Sequence, residues 1–327
     1  MFQQLLTLSR NTFIESIRQP VFVVLIIAGT IFLWLNSHLA AYTLDDDNKM
    51  MVDLGLSVLF LSGLLLAALT ATGVLSAEIE NQTVLTVISK PVSRPLFVLG
   101  KYVGVAAALT IAYWTLMMSF LLNVRHQVLQ TASNPIDWPV VLLAASAFLV
   151  AVAIAAVGNY LYHWVFTSSF VLGFVVLNTV AWLLVLVIDK QWQFQPLATE
   201  FTADNGQLLQ LLIALLMLFE AVLMLTAVAI AVSTRLGQVM TMVVCVAVFL
   251  LGLVSNSMHQ EFGQNNLFAK LLYWLLPNLQ FLWHADALTA GHAITMNHVM
   301  HVSGYSALYI AAALFLSICL FQTREVG

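Results

Sequence analysis

Five ionisable residues, Glu78, Glu80, Lys90, Arg94 and Lys101, fall within 24 positions of a chain in which only 8 % of residues are charged. Charge of both signs beside Pro91 and Pro95 suits the docking of a soluble partner better than catalysis. Elsewhere, Glu220 lies alone in the apolar run "LLMLFEAVLML". A carboxylate in such a setting is costly, which makes it a candidate for lining a translocation route, joining two chains or relaying a proton, with a packed, hydrogen-bonded acid as the plain alternative. His298 and His301 stand three apart in "HAITMNHVMHV", with Met296 and Met300 beside them. His and Met suit copper or another soft metal, but no Cys or carboxylate completes the set, so these two are weak candidates and no metal is assigned. Cys245 and Cys319 both sit in apolar runs, which excludes a disulfide framework or a zinc site. No GxxxxGK[ST] cradle exists, since Gly100-Lys101 is followed by Tyr102 and position 95 is proline. No GxSxG occurs either. The chain is therefore expected to be no enzyme by itself and to bind no cofactor.

The elements that must position these residues follow from composition. The 327 residues are 61 % hydrophobic, and the mean hydropathy is +0.97. No water-soluble fold of this length hides that much apolar surface, so the chain reads as an integral membrane protein. Long apolar runs point to helices rather than a barrel. A span needs about 20 apolar residues, and eight stretches qualify: 21–41, 54–75, 98–122, 140–161, 166–188, 208–232, 239–254 and 303–321. With the N-terminus inside, the inner segments hold Arg10, Arg18, Lys90, Arg94, Lys101, Arg235 and Arg324, while most acids fall outside. Both termini are then cytoplasmic. A net charge of −4 without a basic patch gives no reason to expect nucleic acid as a partner.

Residues 1–19 read as an amphipathic helix on the membrane surface, with Phe2, Leu5, Leu6, Phe13, Ile14 and Ile17 on one stripe and Arg10, Glu15 and Arg18 off it. Residues 255–302 form a long outer segment. Its apolar part "LFAKLLYWLLPNLQFLW" is short for crossing and is broken by Lys270 and Pro277, which suits a re-entrant helix. Between the second and third spans, residues 76–97 read as a short two-faced helix. Glu78 and Glu80 occupy its first turn, Val84, Val87 and Ile88 recur at helical spacing, and Pro91 and Pro95 force an exit. Such a rigid peg can pass a push from a soluble partner to the spans beside it.

This segment resembles the coupling region of type-2 ABC transporter permeases. The matching residues are the acidic pair Glu78 and Glu80, then Thr83, the apolar 84–88 stretch, Pro91-Val92-Ser93-Arg94, and Gly100-Lys101. The amphipathic start is similar to that family's elbow helix. "VSTRLGQVMTMVV", "LLPNLQFL" and the ending "LFQTREVG" are similar to its later parts. The resemblance implies an all-α polytopic membrane protein with a single permease domain over 1–327. It also implies an elbow helix, a cytoplasmic coupling helix between spans 2 and 3, and re-entrant outer helices before the last span. The family plan has six spans where eight are counted here, so six to eight are open and the extra pair is placed around 140–188.

The function implied is that of a permease subunit of an ATP-driven exporter in a bacterial-type inner membrane. Its partners would be a dimer of ABC ATP-binding subunits carrying ATP and Mg, a second permease chain (identical or different), and membrane lipids. The resemblance assigns ATPase coupling to Glu78, Glu80, Thr83, Val84, Val87, Ile88, Pro91, Arg94 and Lys101, with Arg235 in a later inner loop. Two alternatives stand beside it. One is a proton-coupled secondary transporter with Glu220 as relay, and the other is a membrane scaffold subunit.

Overall fold

A computed structural model describes residues 2–39, 47–80, 93–129, 136–202, 207–262, 270 and 273–322, with side chains described except at 39, 75–80, 202 and 262. The helices are α1 (Phe2–Arg18), α2 (Pro20–Leu39), α3 (Asp47–Glu80), α4 (Arg94–His126), α5 (Trp138–Tyr162) and α6 (Phe166–Val187). They continue with α7 (Ala198–Thr202), α8 (Gln207–Ser233), α9 (Gln238–Phe262), α10 (Ala285–Thr289) and α11 (Met296–Gln322). A 3₁₀ turn at Leu279–Leu282 precedes α10. Among the described residues the only β pairing is one antiparallel bridge, Ile188 with Phe194.

Eight of the helices, α2–α6, α8, α9 and α11, are long and apolar enough to cross a membrane. The chain is accordingly an all-α, polytopic integral membrane protein. The spans outlast the apolar runs that reveal them, because a helix keeps its backbone bonds after its side chains turn polar. Thus α9 reaches Phe262, not 254, and α11 starts at Met296, not 303.

One local expectation is corrected. Glu78 and Glu80 do not open a separate short helix; they close the last turns of α3. No proline or second glycine lies between Gly73 and Glu80, and Leu75, Ala77 and Ile79 give the helix no reason to stop. Thr83, Val84, Val87, Ile88 and Pro91 lie outside the described residues.

Helix directions alternate, so the bundle has two ends. The near face carries α1, the start of α4 and the end of α11; the far face carries the starts of α3, α8 and α11. The centre is built from α3, α4 and α8, whose most apolar windows are 61 %, 72 % and 67 % buried, against 22 % for α5 and α9. Helix α8 packs on α3, α4, α9 and α11, while α5 packs mainly on α6 at the periphery. Exposed Leu142, Leu149 and Ile154 on α5, and Val239, Val243 and Leu250 on α9, form the surface that lipid chains would meet.

Between apolar helices, packing and interhelical hydrogen bonds replace the hydrophobic effect as glue. Buried amides supply several such bonds. Asn36 Nδ2 donates to the Met51 carbonyl at 2.7 Å, joining α2 to α3. Asn123 Nδ2 donates to the Leu33 carbonyl, joining α4 to α2. Asn178 Nδ2 donates to the Thr115 carbonyl (2.9 Å) and Ser119 Oγ (2.8 Å), joining α6 to α4.

Candidate functional site

The near-face junction centres on the first turns of α4. Pro95 sits in the first turn, where its missing N–H costs nothing, and Ser93 leads in with an extended backbone. Lys101 buries a cation two turns into α4, and Arg94 places one at the positive end of its dipole; each is unfavourable unless partners are supplied. Both have them. Arg94 Nη1 donates to the carbonyls of Gln322 (2.7 Å) and Phe321 (3.3 Å). These are last-turn carbonyls of α11, at the negative end of its dipole, where a guanidinium is favourably placed. The Arg94 guanidinium also lies 5.9 Å from the centre of the Phe321 ring, which stacks on Phe97 at 5.5 Å. Buried Lys101 reaches Glu15 of α1 at 3.7 Å and stands 5.6 Å from the Phe97 ring.

Helix α1 is seated on α4 by glycine. A Cβ at Gly100 would come within 2.8 Å of Leu8 Cβ, and one at Gly104 within 2.5 Å of Thr12 Cβ and 2.6 Å of the Ser9 carbonyl oxygen. The Gly-x-x-x-Gly spacing removes two side chains from one face of α4 and lets the α1 backbone descend into the gap. The buried residues of α1 are accordingly Thr12, Ser16 and Ile17, whereas Phe2 and Leu6 are exposed. The apolar stripe is therefore split: Ile17 and Phe13 pack on the core, Phe2 and Leu6 face outward, and the small polar side of α1 makes the contact with the glycines. The end of α1 is tied as well: Thr167 Oγ1 of α6 donates to the Arg18 carbonyl at 3.0 Å.

Of the residues expected to couple, Arg94 and Lys101 meet at this junction. Glu78 and Glu80 lie at the end of α3. Arg235 is exposed in the turn between α8 and α9, on the same face. Buried Ser233 and Thr234 close α8 there by donating to the carbonyls of Ile230 and Ala231.

At the far face, the segment before α11 folds back into the bundle. Tyr273 stacks on His259 of α9 at 4.3 Å, and Pro277 lies against Gly252, deeper on the same helix. The Tyr309 hydroxyl donates to the Leu275 carbonyl (3.1 Å), and the Tyr305 hydroxyl accepts from the Asn278 N–H (2.9 Å). His284 meets His298 with ring centres 5.1 Å apart. Positions 298, 305 and 309 form one stripe of α11, and the hairpin lies antiparallel along it. Tyr309 is about 20 Å along the axis from the start of α11, so the hairpin reaches deep. Its irregular backbone is tolerable at that depth because tyrosine hydroxyls replace water.

This face also holds polar atoms with no partner among the described residues: Asn278 Nδ2, His284 Nδ1 and His259 Nδ1. Burial lowers the pKa of His284; the Leu282 backbone opposes this and neighbouring His298 adds to it. His301 Nδ1 lies 2.7 Å from the Asn297 carbonyl, while His298 packs against His284. No group of three or more His, Cys, Asp or Glu suited to a metal occurs among the described residues.

Glu220 lies between these two ends, in the middle of α8. Ser303 Oγ of α11 donates to its Oε1 at 2.7 Å, while Oε2 is buried with no partner among the described residues. The carboxyl group joins two spans of one chain. Sequence reasoning named Glu220 but missed its partner, and it missed the two tyrosines. Tyrosines at i and i+4 of an apolar span, following a proline-broken segment, are the signal that could have found them. No protein-family model matches this chain, and no curated protein matches it.

Proposed function

We propose that the chain is the transmembrane permease subunit of an ATP-driven ABC exporter of the type-2 kind. It would work with a second permease chain and a dimer of separate ATP-binding subunits that carry ATP and Mg. In this reading the near face is cytoplasmic. The observation that carries it is the convergence of α1 and the last turn of α11 on the first turns of α4, directly after residues 81–92. A soluble motor gripping Glu78 and Glu80 at the end of α3 and Thr83, Val84, Val87, Ile88 and Pro91 beyond it would pass its push into α4 at Arg94. The displacement would pass to α11 through Arg94 and Phe97, and to α1 through Gly100 and Gly104. Arg235 offers a second contact on the same side.

The test is co-purification from cross-linked membranes, followed by ATPase assays on the reconstituted complex. Wild-type chain retains a nucleotide-hydrolysing partner and stimulates it. Deletion of Val84–Val87 abolishes that stimulation while insertion persists. Arg94→Met keeps the partner bound but weakens stimulation, because the loop survives and its link to α11 is gone. Absence of any ATP-hydrolysing partner sinks the proposal.

One observation favours a second reading, a proton-coupled carrier: the buried, unpartnered Oε2 of Glu220. That reading requires ATP-independent flux by the chain alone and its loss in Glu220→Gln. The exporter reading requires neither.

A further inference from the structure

A cavity of about 430 Å³ opens at the far face, inside a single chain, where α4 and α6 end and α3 and α8 begin. Its size is within the roughly 300–1,000 Å³ typical of small-molecule sites. We propose that it binds an amphiphile with a zwitterionic or uncharged polar head, apolar body inward. The proposal is independent of what drives the chain.

The first argument is the segregation of the lining. By their place along α4, α6 and α8, the inner lining residues are Leu121, Trp182, Val185 and Leu211. The mouth is Lys49, Arg125, Asp189, Gln195 and Glu200. From Trp182 to Asp189 the chain climbs about 10 Å, so the lining changes from hydrocarbon and indole to charge over the depth of one small molecule. A purely apolar ligand would leave the mouth unmatched, and a small ion would leave the walls unfilled.

The second argument is the charge at the mouth. Two cations and two carboxylates line it, so the charged lining side chains sum to zero. Arg125 lies 3.1 Å from Glu200 and 3.9 Å from Asp189. Gln195 Nε2 donates to the same Glu200 oxygen at 2.8 Å and to the Leu186 carbonyl at 3.3 Å. The mouth is thus fixed before any ligand arrives, by bonds that tie the ends of α4 and α6 to α7.

The experiment is photolabelling in lipid nanodiscs with a lysophosphatidylcholine that carries a diazirine in its acyl chain. Adducts are expected on residues 121–127 and 182–189, with labelling competed away by unlabelled lysophosphatidylcholine. Val185→Trp and, independently, Leu211→Trp fill the cavity. Each should cut this labelling at least roughly tenfold, the change that about 1.4 kcal/mol of lost binding gives. Leu149→Trp, on the exposed side of α5, should leave it unchanged. Variants are compared only where they elute as single species, and competition in the wild type decides the matter should both filled variants misfold. Labelling spread over the exposed faces of α5 and α9, uncompeted or indifferent to filling, overturns the site. Stronger cavity labelling by a fatty acid or an alkyl trimethylammonium probe overturns the neutral head.

Discussion

The two ends of the bundle are held together by opposite means. At the near face, α1 and α11 close on α4 through glycine gaps, stacked rings and cations lodged where helix carbonyls or a carboxylate receive them. At the far face, an irregular hairpin buries Leu279 and Leu282 in the core and sets Pro277 against Gly252, and two tyrosine hydroxyls bond its backbone; Asn278, His284 and His259 each keep a buried polar atom with no partner among the described residues. The difference is one of material: the near face rests on close helix approach and lodged cations, the far face on irregular backbone held by apolar burial and single hydroxyl bonds.

The comparison breaks first at Gly104. Gly104→Val drives a side chain into the Ser9 carbonyl and Thr12 of α1. Backbone cannot yield as a side-chain tip can, so the loss should reach the upper end of about 1–3 kcal/mol. Thermal unfolding of the purified protein measures it, and unchanged stability would show the junction to be loose. Next is Tyr309→Phe, which strips the Leu275 carbonyl of its donor at a cost of about 1–2 kcal/mol. Hydrogen exchange should quicken in residues 273–284 and stay unchanged in 94–108; quickening at both ends would abolish the contrast.

A smaller effect is expected from pH. His284, outside the spanning helices, is kept neutral by burial, so its folded pKa lies below the ordinary value. Between the two values the unfolded segment binds the extra proton. Its stabilisation is therefore whole above about pH 6.5 and declines as pH falls. Exchange in 279–289, corrected for its intrinsic pH dependence, should be faster at about pH 5.5 than at about pH 7.5, and His284→Asn should remove the difference. The smallest effect belongs to Lys101→Met. It removes the pair with Glu15, whose side chain is 43 % exposed, and replaces the buried stem with another apolar chain. The change in melting should correspond to less than about 1 kcal/mol.

Spans were legible in the sequence because apolar length is a local property. Pro20 set the start of α2. What could not be read was pairing. Nothing in a single sequence joins Arg94 to Gln322, Arg125 to Glu200 or Glu220 to Ser303. The first helix shows the same limit: its apolar stripe was plain in the sequence, but the side that seats it on α4 was not. The contact face was written instead in Ser9, Thr12 and Ser16, opposite the glycines of "GKYVG". Glu78 and Glu80 were misplaced for a related reason, since charge at a helix end was taken for a start where the chain simply continued.

Arg94 also has a consequence for biogenesis. Its carbonyl partners are made more than two hundred residues later. Until α11 is in place, the Arg94 guanidinium and the Phe97 ring lack those contacts, so this junction is completed only when α11 has been made and inserted.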